Sequence, residues 1–233
     1  MEFRRIFFIF IAVFLLTAGP LSLQSKATNF IDFTDTNLNT GAGVLLSDTS
    51  CWFGSWTQNV ATSNTTVSAI LDKNGIGTVT QGTAWLMKQV GPGTTSANQI
   101  AEAIFTTPSS TINNQDLTTA PYTTLFGGLN LPPGTYYLVL RGQALQGFSY
   151  SASWDGDYQG VVVNTAPGFS VGSYHGTGSP SSYIPASNFP YNADNGMYFF
   201  YRVEGDAVPL PGAVWLLGSG LLGLGSWRRF RKA

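Results

Sequence analysis

Leu131-Pro132-Pro133-Gly134-Thr135-Tyr136-Tyr137-Leu138-Val139-Leu140 carries the plainest structural signal in the chain. The paired prolines rule out a continuing helix, and Pro133-Gly134 suits the central positions of a type II turn. The residues that follow are strong strand formers. Strand alternation puts Tyr136, Leu138 and Leu140 on one face and Tyr137 and Val139 on the other. Both faces are apolar, so this strand is expected at the centre of a sheet and buried on both sides.

The pattern repeats outward from that strand. No sustained apolar run at helical spacing occurs between the two ends of the chain; short β-branched and aromatic runs recur between clusters of Gly, Pro, Asn and Asp, as in sandwiches and barrels. Strands are predicted over 29–33, 44–46, 52–60, 66–71, 78–90 with a bulge near Gly82, 122–125, 135–143, 148–153, 160–164 and 197–204. Asp72-Lys73-Asn74-Gly75 reads as a turn, because Asn-Gly tolerates positive φ. Residues 97–105 are the one stretch where a short helix is expected. Residues 166–195, dense in Gly, Ser, Pro and Tyr, show no strand periodicity and are expected to form a long irregular loop, the kind that often carries function. The fold class predicted is all-β: a single antiparallel β-sandwich, jelly-roll-like, over residues 28–207. A signal-peptide helix precedes it and a transmembrane helix follows. Pro132-x-Gly134-x-Tyr136 resembles the turn-and-strand of bacterial pre-peptidase C-terminal-type β-sandwiches. That resemblance covers ten residues and speaks to fold, not to activity.

The two ends differ sharply from the middle. Arg4 and Arg5 precede an apolar run from Ile6 to Ala18, Gly19-Pro20 breaks it, and Ser25-Lys26-Ala27 supplies small residues before a cut. This is the layout of a secretory signal peptide over residues 1–27, cleaved after Ala27 by signal peptidase following passage through the translocon. An uncleaved N-terminal anchor is the alternative. At the other end, residues 208–212 read Val208-Pro209-Leu210-Pro211-Gly212, residues 213–227 are uncharged and rich in Leu and Gly, and residues 228–233 hold Arg228, Arg229, Arg231 and Lys232. Fifteen helical residues span roughly 22 Å, short of a hydrocarbon core of about 30 Å. The segment therefore spans only with help from the 208–212 end or with local thinning. The four cations act as a cytoplasmic stop and place the preceding domain outside. A buried core helix and a plain single-pass anchor compete with this reading.

The proline motif, the Gly-rich apolar run and the basic terminus resemble the PEP-CTERM sorting signal in its VPLP-type variant. The resemblance implies export, recognition of the tail by a membrane-embedded exosortase, and removal of the helix near the proline motif. Leu210 stands where the commonest form of the motif carries glutamate, and Gly212 where the variant often carries alanine, which leaves the exosortase subtype open. The implied setting is the cell surface or extracellular matrix of a Gram-negative bacterium that makes extracellular polysaccharide, after an intermediate at the inner membrane.

Composition narrows the middle region. Residues 28–207 hold four cations, Lys73, Lys88, Arg141 and Arg202, against eleven Asp and Glu, a net of −7 that the basic ends mask in the whole-chain value of −1. Nucleic acid, which needs clustered Lys and Arg, is excluded as a partner. Cys51 is the single cysteine, so no intramolecular disulfide forms. It reads either as a small buried apolar residue or as one half of a disulfide between chains.

Few constellations carry chemistry. Gly168-Phe169-Ser170-Val171-Gly172 matches a nucleophile elbow in letters, yet the sole histidine, His175, follows with no carboxylate between them, against the order a hydrolase needs. Trp154-Asp155-Gly156-Asp157-Tyr158 offers Asp155 and Asp157 as candidate calcium ligands at a strand end. A plain Asp-Gly turn competes with that reading. The same acids at i and i+2 are poorly set for a glycosidase pair. Trp154, Tyr174 and Tyr183, with Trp52, Trp56 and Tyr191, are candidates for stacking on sugars; core packing is the competing role. No catalytic residue and no cofactor other than a calcium ion is expected. The function predicted is that of an exported, exosortase-sorted surface or matrix protein with a non-enzymatic domain. Exopolysaccharide binding is the first alternative and an unrecognised secreted hydrolase the second.

Overall fold

A computed structural model describes residues 28–35, 42–48, 51–72, 81–91, 93–108, 121–143, 152–157, 161–172 and 198–208. They form thirteen strands and one short 3-10 helix, Ser96–Asn98. The strands are β1 (Thr28–Asp35), β2 (Ala42–Leu46), β3 (Cys51–Gln58), β4 (Thr62–Asp72), β5 (Gln81–Met87), β6 (Gln99–Thr106), β7 (Tyr122–Leu131), β8 (Gly134–Gly142), β9 (Ala152–Asp157), β10 (Val161–Thr165), β11 (Phe169–Gly172), β12 (Tyr198–Phe199) and β13 (Tyr201–Ala207). An eight-stranded sheet runs β10-β1-β13-β4-β9-β12, with β2 paired to β9 and β7 to β4; a five-stranded sheet runs β11-β3-β8-β5-β6. Every pairing is antiparallel.

The two sheets share one apolar core. Trp56, Tyr136, Leu138 and Leu140 of the smaller sheet join Val67, Leu71, Trp154 and Tyr201 of the larger in a single cluster. Tyr201 sits between Trp56 and Phe33, ring centroids 5.8 and 4.9 Å away. Full burial of each such side chain contributes about 1.5–3 kcal/mol. Gly54 on β3 makes room for this contact, since a Cβ there would lie 2.9 Å from the Tyr201 ring. The core is all-β and consistent with a β-sandwich.

β8 is the third strand of five in its sheet. Tyr136, Leu138 and Leu140 enter the main core, whereas Val139 packs with Cys51, Phe53, Trp85 and Met87, and Tyr137 borders that second cluster. The alternation therefore places this strand correctly. The residues in front of it do something else. Gly134 is not among the glycines with positive φ, so no type II turn forms on Pro133-Gly134. β7 belongs to the larger sheet and β8 to the smaller, so Pro132 and Pro133 carry the chain from one layer to the other. The Tyr136 hydroxyl donates back to the Pro132 carbonyl and braces that corner.

Other expectations need correction. Residues 99–105 of the expected helix, with Thr106, form the edge strand β6 on β5. Exposure at its end follows a period of two: Glu102, Ile104 and Thr106 point out while Phe105 is buried. Gly82 pairs regularly with Phe105 and Gly142, and the irregularity in β5 falls between Leu86 and Met87. β4 and β7 run longer than predicted, through register shifts near Thr65 and Val67. Part of the expected loop over 166–195 is strand β11, paired with β3. The turn at Lys73-Asn74-Gly75 and the two terminal helices lie outside the described residues. Among the described residues no helix is long and apolar enough to cross a membrane.

Candidate functional site

Two places in the fold bear on function: the point where the chain leaves the larger sheet, and a pair of buried acids on β4 and β9. β13 lies between β1 and β4. Its last rung pairs Ala207 with Thr62, and the Val208 N–H still donates to the Ala61 carbonyl at 2.9 Å. Val208 is already 44% exposed. The next residue, Pro209, has no N–H to continue the ladder, and the first letter of the Val-Pro-Leu-Pro motif is, among the described residues, the last whose backbone the sheet holds. On the neighbouring strand Thr28 pairs with Gly205 and Asn29 with Glu204. The residue after the expected signal cut thus lies beside the strand that leads into the tail.

The sugar-stacking candidates fare poorly. Trp154 is fully buried, stacked on Phe199 at 4.5 Å, and its indole N–H donates to the Phe200 carbonyl at 3.2 Å. Trp56 is equally buried and donates to Gln58 Oε1 at 3.1 Å. Trp52 is half-buried, edge-on to Phe199, with its N–H on the Leu45 carbonyl. Core packing, the competing role, explains Trp154 and Trp56, so neither presents a face to a sugar. Tyr174, Tyr183, Tyr191 and His175 lie outside the described residues, as do Ser25, Ala27, residues 209–212 and the cations Arg228, Arg229, Arg231 and Lys232.

Asp155-Gly156-Asp157 is not a turn. All three residues belong to β9, where Gly156 pairs with Ala42 on one side and Phe199 on the other. Asp155 is instead brought close to an acid that spacing could not reveal. Asp72 pairs with Ser153, and Leu71 with Trp154. Leu71 and Trp154 face the main core, so alternation places Asp72, Ser153 and Asp155 together on the opposite face of the sheet. Asp72 is 5% exposed and Asp155 4%. Asp72 Oδ1 and Asp155 Oδ2 have no hydrogen-bond partner. Burial, with the Asp72 charge added, pushes the Asp155 carboxyl up to about 8. A glycosidase needs its two acids open to a sugar between them, and these are closed off. Among the described residues no group of three or more His, Cys, Asp or Glu is arranged to hold a metal.

Ser170, the letter-match to a nucleophile elbow, lies exposed in the middle of β11 opposite Thr57. It has neither the sharp turn nor the helix that such a serine requires. Cys51 is fully buried and burial pushes its thiol up to about 12, so the disulfide between chains is not open to it; the small apolar role is the one it fills. Beside it, Arg141 stands 5.7 Å from the Trp85 ring. On the larger sheet Arg202 Nε donates to Asp32 Oδ1 at 2.9 Å while its guanidinium lies 4.0 Å from the Tyr122 ring, a clamp joining β1, β13 and β7.

The family model of the PEP-CTERM protein-sorting motif matches residues 207–232, beginning at the last residue of β13. The chain carries a PEP-CTERM sorting signal. It is accordingly an exosortase substrate, exported and bound for the cell surface or extracellular space through an exosortase-dependent route. No curated protein is significantly similar to the chain. The PEP-CTERM match leaves residues 28–206 to be read from their own geometry.

Proposed function

We propose that residues 28–207 are the mature body of this protein, a jelly-roll-like β-sandwich delivered through the translocon, trimmed after Ala27 by signal peptidase and cut by exosortase at the 208–212 motif. Residues 213–227 serve as the transmembrane helix and Arg228, Arg229, Arg231 and Lys232 as its cytoplasmic stop. The body itself works as a non-enzymatic surface or matrix component, with extracellular polysaccharide as its surroundings and Tyr174 and Tyr183 as its aromatic candidates for contact. The observation that carries this reading is the PEP-CTERM match starting where β13 ends. The pairing of Thr28 with Gly205, next to the start of the tail, is compatible with it.

Mass spectrometry of the chain recovered from the native envelope and medium tests it. A body beginning near Thr28 and ending within residues 208–212 is expected. Recovery of a chain that still holds Arg228 to Lys232 in the mature fraction would mean a permanent anchor and would defeat the cleavage reading.

A further inference from the structure

Buried carboxylates normally have a cation, a donor or a proton against them. Asp72 and Asp155 each leave one oxygen, Oδ1 and Oδ2 respectively, buried without a hydrogen-bond partner. They are not scattered. Asp72 pairs with Ser153, and Asp155 is the next residue on the same face, a diagonal relationship that sets Cβ atoms about 7 Å apart across an antiparallel pair. Carboxylates reaching toward each other over that span can bring oxygens to the separation of about 5 Å that one calcium-sized ion bridges. Magnesium, with shorter bonds and a strict octahedron, suits the span less well.

Among the described residues the flanking strands offer these acids no charged side-chain partner. β2 flanks β9 on the other side and places Gly43 opposite Asp155, so no β2 side chain fills the position beside that carboxylate. Ser153, directly opposite Asp72, has its Oγ only weakly engaged, 3.4 Å from the Val44 carbonyl. Neither β2 nor β12 carries a charged residue. The strand ends are firmly held: the Phe200 N–H donates to the Asp155 carbonyl at 2.9 Å and the Ile70 N–H to the Phe200 carbonyl at 3.1 Å, locking β9 to β4. Two acids and a hydroxyl fall short of a three-acid cluster, but calcium completes its shell with neutral oxygens and water.

We propose that Asp72 and Asp155, with Ser153 Oγ opposite Asp72, bind one hard divalent cation of the calcium class on the face of the larger sheet turned away from the main core. The ion bridges two acids that lie 83 residues apart in sequence, on β4 and β9, and takes the place of a proton between their carboxyl groups. An exported chain meets calcium at the levels that weak extracellular sites are tuned to, about 10⁻⁴–10⁻³ M. The proposal uses the export shown by the tail and does not depend on where the tail is cut.

The test uses the full chain in detergent, stripped with EDTA and titrated with calcium chloride by calorimetry and with terbium by tryptophan-sensitised emission. Trp154, next to Ser153 and Asp155 in sequence, serves as the sensitiser. One calcium per chain is expected, with terbium emission that calcium displaces, a melting temperature raised by calcium and weaker binding of magnesium. Asp72→Asn and Asp155→Asn should each lower calcium affinity at least ten-fold. Because asparagine removes the repulsion without changing shape, both variants should fold as well in EDTA as the parent. Binding that survives both substitutions overturns the proposal. Should either variant fail to fold, the parent chain still decides: absence of calcium-displaceable terbium emission and of any calcium-induced rise in melting temperature overturns it. Neither result touches the sorting reading, which stands on the termini found by mass spectrometry.

Discussion

The hydroxyl of Tyr201 on β13 donates to the Ser55 carbonyl on β3 at 2.7 Å, a hydrogen bond from one sheet to the other across 146 residues of sequence. Both groups are buried, and burial pushes the Tyr201 phenol far above its ordinary range. The bond specifies which strand of the larger sheet lies over β3. Tyr201→Phe keeps the ring packing and strips the Ser55 carbonyl of this donor. The expected cost is about 1–3 kcal/mol, read as a lower urea midpoint with an unchanged slope. A midpoint equal to the parent's would show that the ring contacts alone hold the layers in place.

Gly82 shows where the smaller sheet tolerates no side chain. A Cβ there would fall 2.2 Å from the Phe105 ring and 2.6 Å from the Arg141 carbonyl, which is backbone and cannot swing aside. Gly82→Ala should destabilise by about 1–3 kcal/mol or more through overpacking. Gly127, whose Cβ would find only Thr66 Oγ1 at 4.0 Å, is the control, and Gly127→Ala should lie within about 0.5 kcal/mol of the parent. Thermal melts of the two variants side by side decide the point.

Stability should fall with rising pH because of Asp155. Its carboxyl is pushed up to about 8 in the folded chain from an ordinary value of 3.8, mainly by burial and further by the Asp72 charge. Folding therefore takes up a proton between those values. The contribution is fully present below pH 3.8 and is lost as pH rises through about 8. In EDTA the parent should lose stability from pH 5 to pH 8 more steeply than Asp155→Asn, whose amide does not titrate. Urea midpoints at four or five pH values give both slopes, and parallel slopes would remove Asp155 as the cause.

Cys51 should be silent. With its thiol fully buried and pushed up to about 12, thiolate at neutral pH is negligible and access is closed. A soluble disulfide reagent should label it only after denaturation, and the native chain should run identically on reducing and non-reducing gels. Rapid labelling of the folded chain would contradict the packing of Cys51 against Phe53, Trp85 and Met87.

The central strand was readable because Tyr136 to Leu140 state both of their environments locally, and the tail was readable because its order of motif, apolar run and cations is linear. What escaped depends on partners distant in sequence. Pro133-Gly134 looks the same before a hairpin as before a change of layer; only the pairing of β7 with β4 and of β8 with β3 distinguishes them. Residues 99–106 carry alanines that favour helix in isolation, and an edge position on β5 overrides that preference. Asp72 and Asp155 look like two unrelated turn residues until the ladder of β4 with β9 brings them to one face. Trp154 read as a stacking candidate beside acids, but the strand turns it into the core and Asp155 to the opposite face of the sheet.

Thr28 and Gly205 occupy one rung of the β1–β13 ladder, so the two ends of the body leave from a single pole. While both terminal segments are still attached, a membrane holding them would grip the fold at that pole alone, and the ladder can close before either cut. Under the proposed processing two adjacent tethers would be severed, and the order of the cuts would change nothing about the surface turned toward the outside. A body of this kind would also accept circular permutation there. A linker of a few residues could join its old ends and move the new ones elsewhere without unpicking a strand.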